Sequence, residues 1–300
     1  MHSAQSIATH KKSIKFFSFI FLIAAIATVW TAYDSTRLHI KHLIIQNDAF
    51  AKILAGKKIV FFSDTHFDKN DQPVVSDIIQ KLEKIQPDFI FLAGDLVRWY
   101  GMRADYDLVF SFLKKLSAKS GVFSVMGDSD YAFSRISCGF CHENNNWDTT
   151  ALNQTLFLRD QFFDLNIEGY SLRIAGIDCG PDMLPDLTIA DSLCDSNTPT
   201  VLLSHTSTVF DAISQKKNVL VLAGDTHGGQ MYLPDFAWKI WQRKPDPERM
   251  YGLFQEGNKM LYVTSGVGTS DVIFRFGVPA EIVVLEFVPE MKNDKKVSVR

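Results

Sequence analysis

Five short turns carry the residue types that bind divalent metals: Asp64-Thr65-His66, Gly94-Asp95, Gly127-Asp128-Ser129-Asp130, Ser204-His205 and Gly224-Asp225-Thr226-His227-Gly228-Gly229-Gln230. Carboxylate and imidazole are the donors with which a pair of divalent ions orients a water and clamps the oxygens of an in-line displacement. Asp64 and His66 are one residue apart, so a tight turn after a strand lets both face one ion. A lone Asp at a strand end is an ordinary helix cap or turn residue. Five such turns, each closing an apolar run and spread from Asp64 to His227, require a fold that gathers strand ends at one edge.

The elements that would position these turns show in period and punctuation. Residues 58–62, KIVFF, form a short apolar run ending at Ser63-Asp64, and Val74, Ile78, Ile79, Leu82 and Ile85 make a helical stripe over 73–85. Residues 88–93 end at Gly94-Asp95, 106–116 read as the next helix, and 121–126 end at Gly127-Asp128. Strand, helix, strand, helix, strand is the order of βαβ units with buried strands. Further strand-like runs lie at 171–176, 200–203 and 219–223, with a short helix expected over 209–216. The chain closes with runs at 260–264 and 281–287 and no helix between them, while 38–44 alternate as a half-exposed strand would. Residues 134–153 read as a polar, cysteine-containing loop, and no internal repeat is present.

With 46% hydrophobic and 22% charged residues, the 300-residue chain reads as one globular domain with a small appendage. That appendage is 16–33, FFSFIFLIAAIATVWTAY, a run without a charge. Ile14 and a snorkelling Lys15 extend it to the ~20 residues that cross a bilayer, and Trp30 and Tyr33 stand where interfacial anchors do. A buried core helix would show a polar face. A cleaved signal peptide would use Ala25-Ile26-Ala27, but the run continues through Val29 and Trp30. The expectation is an uncleaved single-pass anchor in the cell membrane. Lys11, Lys12 and Lys15 precede it, which points to a cytoplasmic N-terminus and an extracytoplasmic domain. These lysines give residues 1–33 a charge of +3, so the net −3 leaves −6 for the rest. No basic stripe exists to neutralise phosphates, which excludes a nucleic-acid partner. The expected organisation is tail and anchor over 1–35, a globular domain over 36–290 and a tail over 291–300. Cys138, Cys141, Cys179 and Cys194 all fall in the exported part, where two disulfides are possible and their pairing stays open.

In order and spacing the turns resemble those of the calcineurin-like metallophosphoesterases, whose pattern is D-x-H, G-D, G-N-H-[DE], a lone H and G-H-x-H. The resemblance runs from about Lys58 to Phe287. It is closest to a membrane-anchored branch whose last motif continues as G-G-Q and whose late segments resemble Gly266-Val267-Gly268-Thr269-Ser270 and Arg275-Phe276-Gly277-Val278-Pro279-Ala280-Glu281-Ile282. It implies an α/β fold, a sandwich of two mixed β-sheets flanked by helices, behind an N-terminal transmembrane helix. It further implies two divalent ions: Asp64, His66 and His227 on the first, Asp95 bridging, and Asp128, His205 and Asp225 on the second. The implied chemistry is hydrolysis of a phosphodiester or pyrophosphate at a membrane surface, by metal-bound hydroxide and without a covalent intermediate.

Three positions depart from that pattern. Asp128 replaces Asn, Ser129 replaces the catalytic His, and Asp225 replaces the first His of G-H-x-H, while Asp130 matches the closing acid. Asp64, Asp95, Asp128 and Asp225 would together cancel the charge of both ions, which favours hard Mn²⁺ or Mg²⁺ over Zn²⁺. Losing the proton donor removes a factor of ~10² to ~10⁴ unless the leaving group is already a good anion. Hydrolysis of UDP-2,3-diacylglucosamine at its pyrophosphate, a lipid A pathway step, meets that condition. Its substrate is cytoplasmic, whereas the charge pattern places this domain outside. Asp95, Asp128 and Asp130 are the expected catalytic groups, with His142, in the loop beyond Asp130, as a replacement donor. Cys138-Gly139-Phe140-Cys141-His142 also has the form of a haem-attachment motif, or of a disulfide or plain loop. In 232–249, Phe236, Trp238, Ile240 and Trp241 beside Lys239, Arg243 and Lys244 suit a membrane interface or lipid headgroup, and equally a loop covering the sheet. The alternative to an enzyme is a degenerate, non-catalytic metal- or ligand-binding protein.

Overall fold

The computed structural model describes residues 2–35, 37–131, 151–152, 155–179, 184–230, 249–269 and 275–290. The strands are β1 (Leu38–Gln46), β2 (Ile59–Phe62), β3 (Phe89–Leu92), β4 (Val122–Ser124), β5 (Ala151–Leu152), β6 (Thr155–Phe157), β7 (Gln161–Ile167), β8 (Tyr170–Ile177), β9 (Thr200–Ser204), β10 (Val219–Ala223), β11 (Gly252–Glu256), β12 (Lys259–Val263) and β13 (Ala280–Val288). The helices are α1 (His2–Ser35), α2 (Asp48–Leu54), α3 (Gln72–Ile85), α4 (Arg103–Leu113) and α5 (Ala190–Leu193).

Among the described residues the strands form two sheets, ordered β1-β13-β2-β3-β4-β6-β5 and β11-β12-β10-β9-β8-β7. Both are mixed: β2, β3 and β4 run parallel while β13 joins β2 antiparallel, and β8, β9 and β10 run parallel while β11 closes on β12 antiparallel. The two-residue period of a strand decides the layering. In β2, Ile59 and Phe61 point into the cluster between the sheets with Phe91, Leu203, Leu222 and Tyr262, and Val60 and Phe62 point outward to α3 and α4. Strands buried on both faces have no polar side to show, which is why they read as continuous apolar runs. Each large apolar side chain so buried contributes about 1.5–3 kcal/mol. A third cluster, with Leu202, Val221, Phe210 and Leu193, covers the outer face of the second sheet.

α3 buries Val75, Ile78 and Leu82 and leaves Val74 at 37% exposure, so its core stripe begins one residue later than expected. It ends at Gln86 in the left-handed conformation before Pro87. α4 starts at Arg103, ahead of the expected 106, because Asp105 accepts from Met102 N at 2.7 Å and fastens the first turn. The helix expected over 209–216 is instead a tighter 3-10 turn, Ser207–Ala212. Strand 38–44 is an edge strand paired parallel with β13. Neither β7 nor α2 was legible. β7 is a solvated edge strand without a continuous apolar run, and α2 is only 7 residues long.

α1 is a 34-residue helix whose Phe17, Phe21 and Trp30 stand 68%, 76% and 67% exposed. Among the described residues no helix is long and apolar enough to cross a membrane. The expected helix is present, but a membrane span is not established by it. Cys179 and Cys194 are buried free thiols, so neither takes part in the two disulfides that the sequence leaves possible. Cys138, Cys141, His142, the aromatic-basic residues of 231–248 and the tail 291–300 lie outside the described residues.

Candidate metal centre

The turns begin where parallel strands end. Asp64 and His66 follow β2, Asp95 follows β3, Asp128 follows β4, His205 follows β9, and Asp225 and His227 follow β10. Both sheets therefore deliver their carboxyl-terminal edges to one place. The backbone there is unusual: Asp64, His66, Asp95, Asp225 and His227 have φ of 54°, 44°, 54°, 70° and 50°. Left-handed residues of this kind cost about 1–2 kcal/mol each and persist only when the surroundings hold them. Here Asp64 N donates to Gly94 O at 3.0 Å, His66 N to Asp95 O at 3.0 Å and Gly224 N to His205 O at 2.9 Å. The left-handed residues at 64 and 66 bring Asp64 and His66 together, with ligand atoms within 4.8 Å of one another.

The glycines before three of the aspartates permit the close approach. A Cβ on Gly94 would lie 2.3 Å from Gly127 N, one on Gly127 2.1 Å from Asp95 Oδ1, and one on Gly224 2.3 Å from Asp64 Oδ2. Their repetition before Asp95, Asp128 and Asp225 is a signal of this close approach that the sequence itself carries.

Two clusters emerge, Asp64–His66–His227 and Asp64–Asp95–His205, with ligand atoms of each within 4.8 Å of one another. The first is the set expected for the first ion. His66 Nε2 and His227 Nε2 are 3.0 Å apart, and His227 Nε2 is 3.7 Å from Asp64 Oδ1. Asp95 faces both sides, with Oδ2 at 3.3 Å from His66 Nε2 and Oδ1 at 3.5 Å from His205 Nε2. The second expected set is looser. Asp128 Oδ1 and Asp225 Oδ1 stand 3.8 and 3.9 Å from His205 Nε2, and their side chains are 26% and 46% exposed. The centre thus opens to solvent on the Asp128–Asp225 side. Asp64, by contrast, is fully buried, and its carboxylate accepts from Asp225 N at 3.1 and 3.2 Å.

Electrostatics at this edge are those of acids wanting a cation. Burial pushes the Asp64 carboxyl up to about 6 and that of Asp95 up to about 7. Burial acts to lower His205, but the charges of Asp95, Asp64, Asp225 and Asp128 outweigh it and hold the imidazole at about 10. Burial, with His66 and Arg275 next, pushes His227 well below its ordinary value. The donor set fits divalent ions on a further count. His205 Nδ1 lies 2.8 Å from Ala93 O while its buried Nε2 has no hydrogen-bond partner. A carbonyl on one ring nitrogen and an orphaned second nitrogen is how a ligating histidine is oriented. The carboxylates near Nε2 are too distant to be hydrogen-bonded to it and close enough to share an ion with it.

One expected catalytic residue stands apart from this cluster. Asp130 is fully buried, with Oδ1 accepting from Leu96 N at 2.7 Å and Val97 N at 3.2 Å and Oδ2 accepting from Gly127 N at 2.9 Å. Burial, then the Asp95 charge, push its carboxyl up to about 8 against those three amides, and its oxygens fasten the second motif to the third. His142 lies outside the described residues. Ser129, at the position of the missing donor, spends its Oγ on Val97 O at 2.7 Å, and its N donates to Asp95 Oδ1 at 3.0 Å. Arg275, which opens the late segment 275–282 of the resemblance, is buried behind His227, a role its place in that segment does not reveal.

Residues 57–227 match the family model of calcineurin-like phosphoesterases. A Helicobacter pylori (strain J99) protein described as an uncharacterized metallophosphoesterase is 27% identical over 94% of this chain and 73% of its own length. Phosphodiesterase YaeI of Escherichia coli is 25% identical over 89% of this chain and 98% of its own. UDP-2,3-diacylglucosamine pyrophosphatase LpxG of Chlamydia muridarum is 24% identical over 79% and 85%.

Proposed function

The chain belongs to the calcineurin-like phosphoesterase family, a hydrolase family acting on phosphoester bonds, and from that premise we propose a membrane-anchored enzyme that cleaves a pyrophosphate or an activated phosphodiester in a lipid-linked substrate. The observation that carries the proposal is the convergence of Asp64, His66, Asp95, His205 and His227 from four strand ends on one buried point, with His205 Nε2 left unpartnered. Asp64, His66 and His227 would hold one ion, Asp95 would lie between, and Asp128, His205 and Asp225 would hold the other. When bound, such ions supply an activated water and offset charge developing on the phosphoryl oxygens. Four carboxylates favour Mn²⁺ or Mg²⁺ over Zn²⁺ at this site.

The residues themselves set the rest of the chemistry. Ala93 O fixes the His205 ring, Ser129 N holds Asp95, and Asp225 N holds Asp64, so the ligands are oriented before substrate arrives. Ser129 Oγ is committed to Val97 O and gives no proton to a leaving group. A leaving group that is already a stable anion suits this arrangement, and the relative named as a UDP-2,3-diacylglucosamine pyrophosphatase supports that class. The charge-free run 16–33 in the sequence favours a membrane anchor, although α1 as described does not have the length and apolarity of a span. Lysines ahead of it favour an extracytoplasmic domain, and on that side a lipid pyrophosphate is a better substrate than a nucleotide-linked one.

The test is metal analysis of the purified full-length chain, with Mn²⁺-dependent hydrolysis of a lipid pyrophosphate, UDP-2,3-diacylglucosamine and an alkyl phosphodiester against Asp95→Ala. The expected result is two metals per chain, turnover falling on the order of 10²–10³-fold or more in Asp95→Ala, and pyrophosphates cleaved at least ~10²-fold faster than the alkyl ester. Equal rates on the two bond types would sink the leaving-group argument. One metal or none without turnover supports the non-catalytic binding protein, which the committed Ser129 hydroxyl favours.

A further inference from the structure

Arg275 is 2% exposed and lies between β12 and β13, on a segment that contributes no residue to either described cluster. Its Nη1 donates to His227 O at 3.4 Å, and its Nη2 donates to Gly266 O at 3.4 Å and to Gly268 O and lies 3.3 Å from His227 Nδ1. Its Nε is buried without a hydrogen-bond partner, and among the described residues no carboxylate forms an ion pair with it. A guanidinium taken out of water in this way is costly, and the cost is not offset by a partner charge in contact. What it grips explains its place. The 266–268 loop presses on the first motif, with Val267 N donating to Ser63 O at 3.0 Å and Gly268 N to Asp64 O at 2.7 Å. A Cβ on Gly266 would lie 2.8 Å from Asp64 Cβ. Arg275 therefore holds, through one planar group, both His227 and the loop against which Asp64 is seated.

We infer that Arg275 is a positioning residue of the first metal position, fixing His227 relative to Asp64 from behind. The inference rests on the two-metal reading above. Its fork of donors does the positioning, so a lysine keeps the charge and loses the geometry.

The experiment is Mn²⁺ titration of the full-length protein, read as binding and by electron paramagnetic resonance, for wild type, Arg275→Met, Arg275→Lys, His227→Ala and the Arg275→Met/His227→Ala double variant, with thermal unfolding alongside. Both Arg275 variants are expected to weaken one of the two sites 10- to 100-fold, the same site that His227→Ala weakens. The double variant is expected to lose less than the two single losses combined. Arg275→Lys is expected to unfold near the wild-type temperature and still bind weakly; it decides the matter should Arg275→Met not fold. Wild-type affinity in Arg275→Lys, or full additivity with His227→Ala, overturns the inference. Wild-type protein that binds no metal overturns the functional reading and this inference together, whereas two sites in wild type and unchanged sites in both Arg275 variants overturn this inference alone.

Discussion

Asp64 and Asp95 are carboxylic acids held near neutrality by burial, at about 6 and about 7, where an unperturbed aspartate titrates near ~3.9. Because the folded values are raised, the stability they contribute is fully present below about pH 4 and is lost as pH rises through 6 to 7. His205, held at about 10, has the same sign and keeps its contribution until the solution is more alkaline. Metal-free protein is therefore expected to melt at lower temperature at pH 8 than at pH 5. Asp95→Asn should flatten that decline, which calorimetry in chelator at several pH values will show. A wild-type curve that climbs over this interval contradicts the assignment. Metal should invert the trend, because binding displaces these protons; at pH 6–7 uptake should release protons measurably in buffers of different ionisation enthalpy. The sequence named Asp64, His66, Asp95, His205 and His227 correctly as neighbours. It offered no means of telling that Asp130 faces three backbone amides, since D-S-D reads alike whether its second acid points to an ion or to a loop.

At the scale of elements, the site depends on loops that touch with no room for a methyl group. Gly127→Ala would drive its Cβ to 2.1 Å from Asp95 Oδ1, whereas Gly169→Ala meets nothing within 4 Å despite a φ of 89°. Both substitutions carry backbone or steric cost, but only the first displaces a ligand. Gly127→Ala is expected to lower stability by ~1–3 kcal/mol and to weaken metal binding at least tenfold. Gly169→Ala should cost ~1 kcal/mol and leave metal binding as in wild type. Denaturant unfolding and metal titration of the two variants side by side will separate strain from displacement; equal metal affinity in both would remove the close-approach argument. The ligand-bearing strands were legible because β2, β3, β9 and β10 are buried on both faces and must be apolar throughout. The 3-10 turn Ser207–Ala212 was read as a helix because a six-residue segment is too short for its period to distinguish the two.

For the whole molecule, the apolar run of α1 and the packed sandwich make separable demands. If α1 anchors the chain, the full-length protein should sediment with membranes and resist alkaline wash, and a chain beginning near Asp34 should appear in the soluble fraction with its metal stoichiometry intact. Full-length protein that stays soluble without detergent rules the anchor out. The sequence by itself determined which residues end strands and which donors they carry, because apolar runs and motif spacing are properties of short stretches of chain. Tertiary structure alone decided which donors meet. Sheet order brings Ala93 to His205, Asp225 to Asp64 and Arg275 to His227, and these contacts join residues 112, 161 and 48 positions apart. No local pattern encodes such pairings, since they follow from how two sheets pack across a shared core.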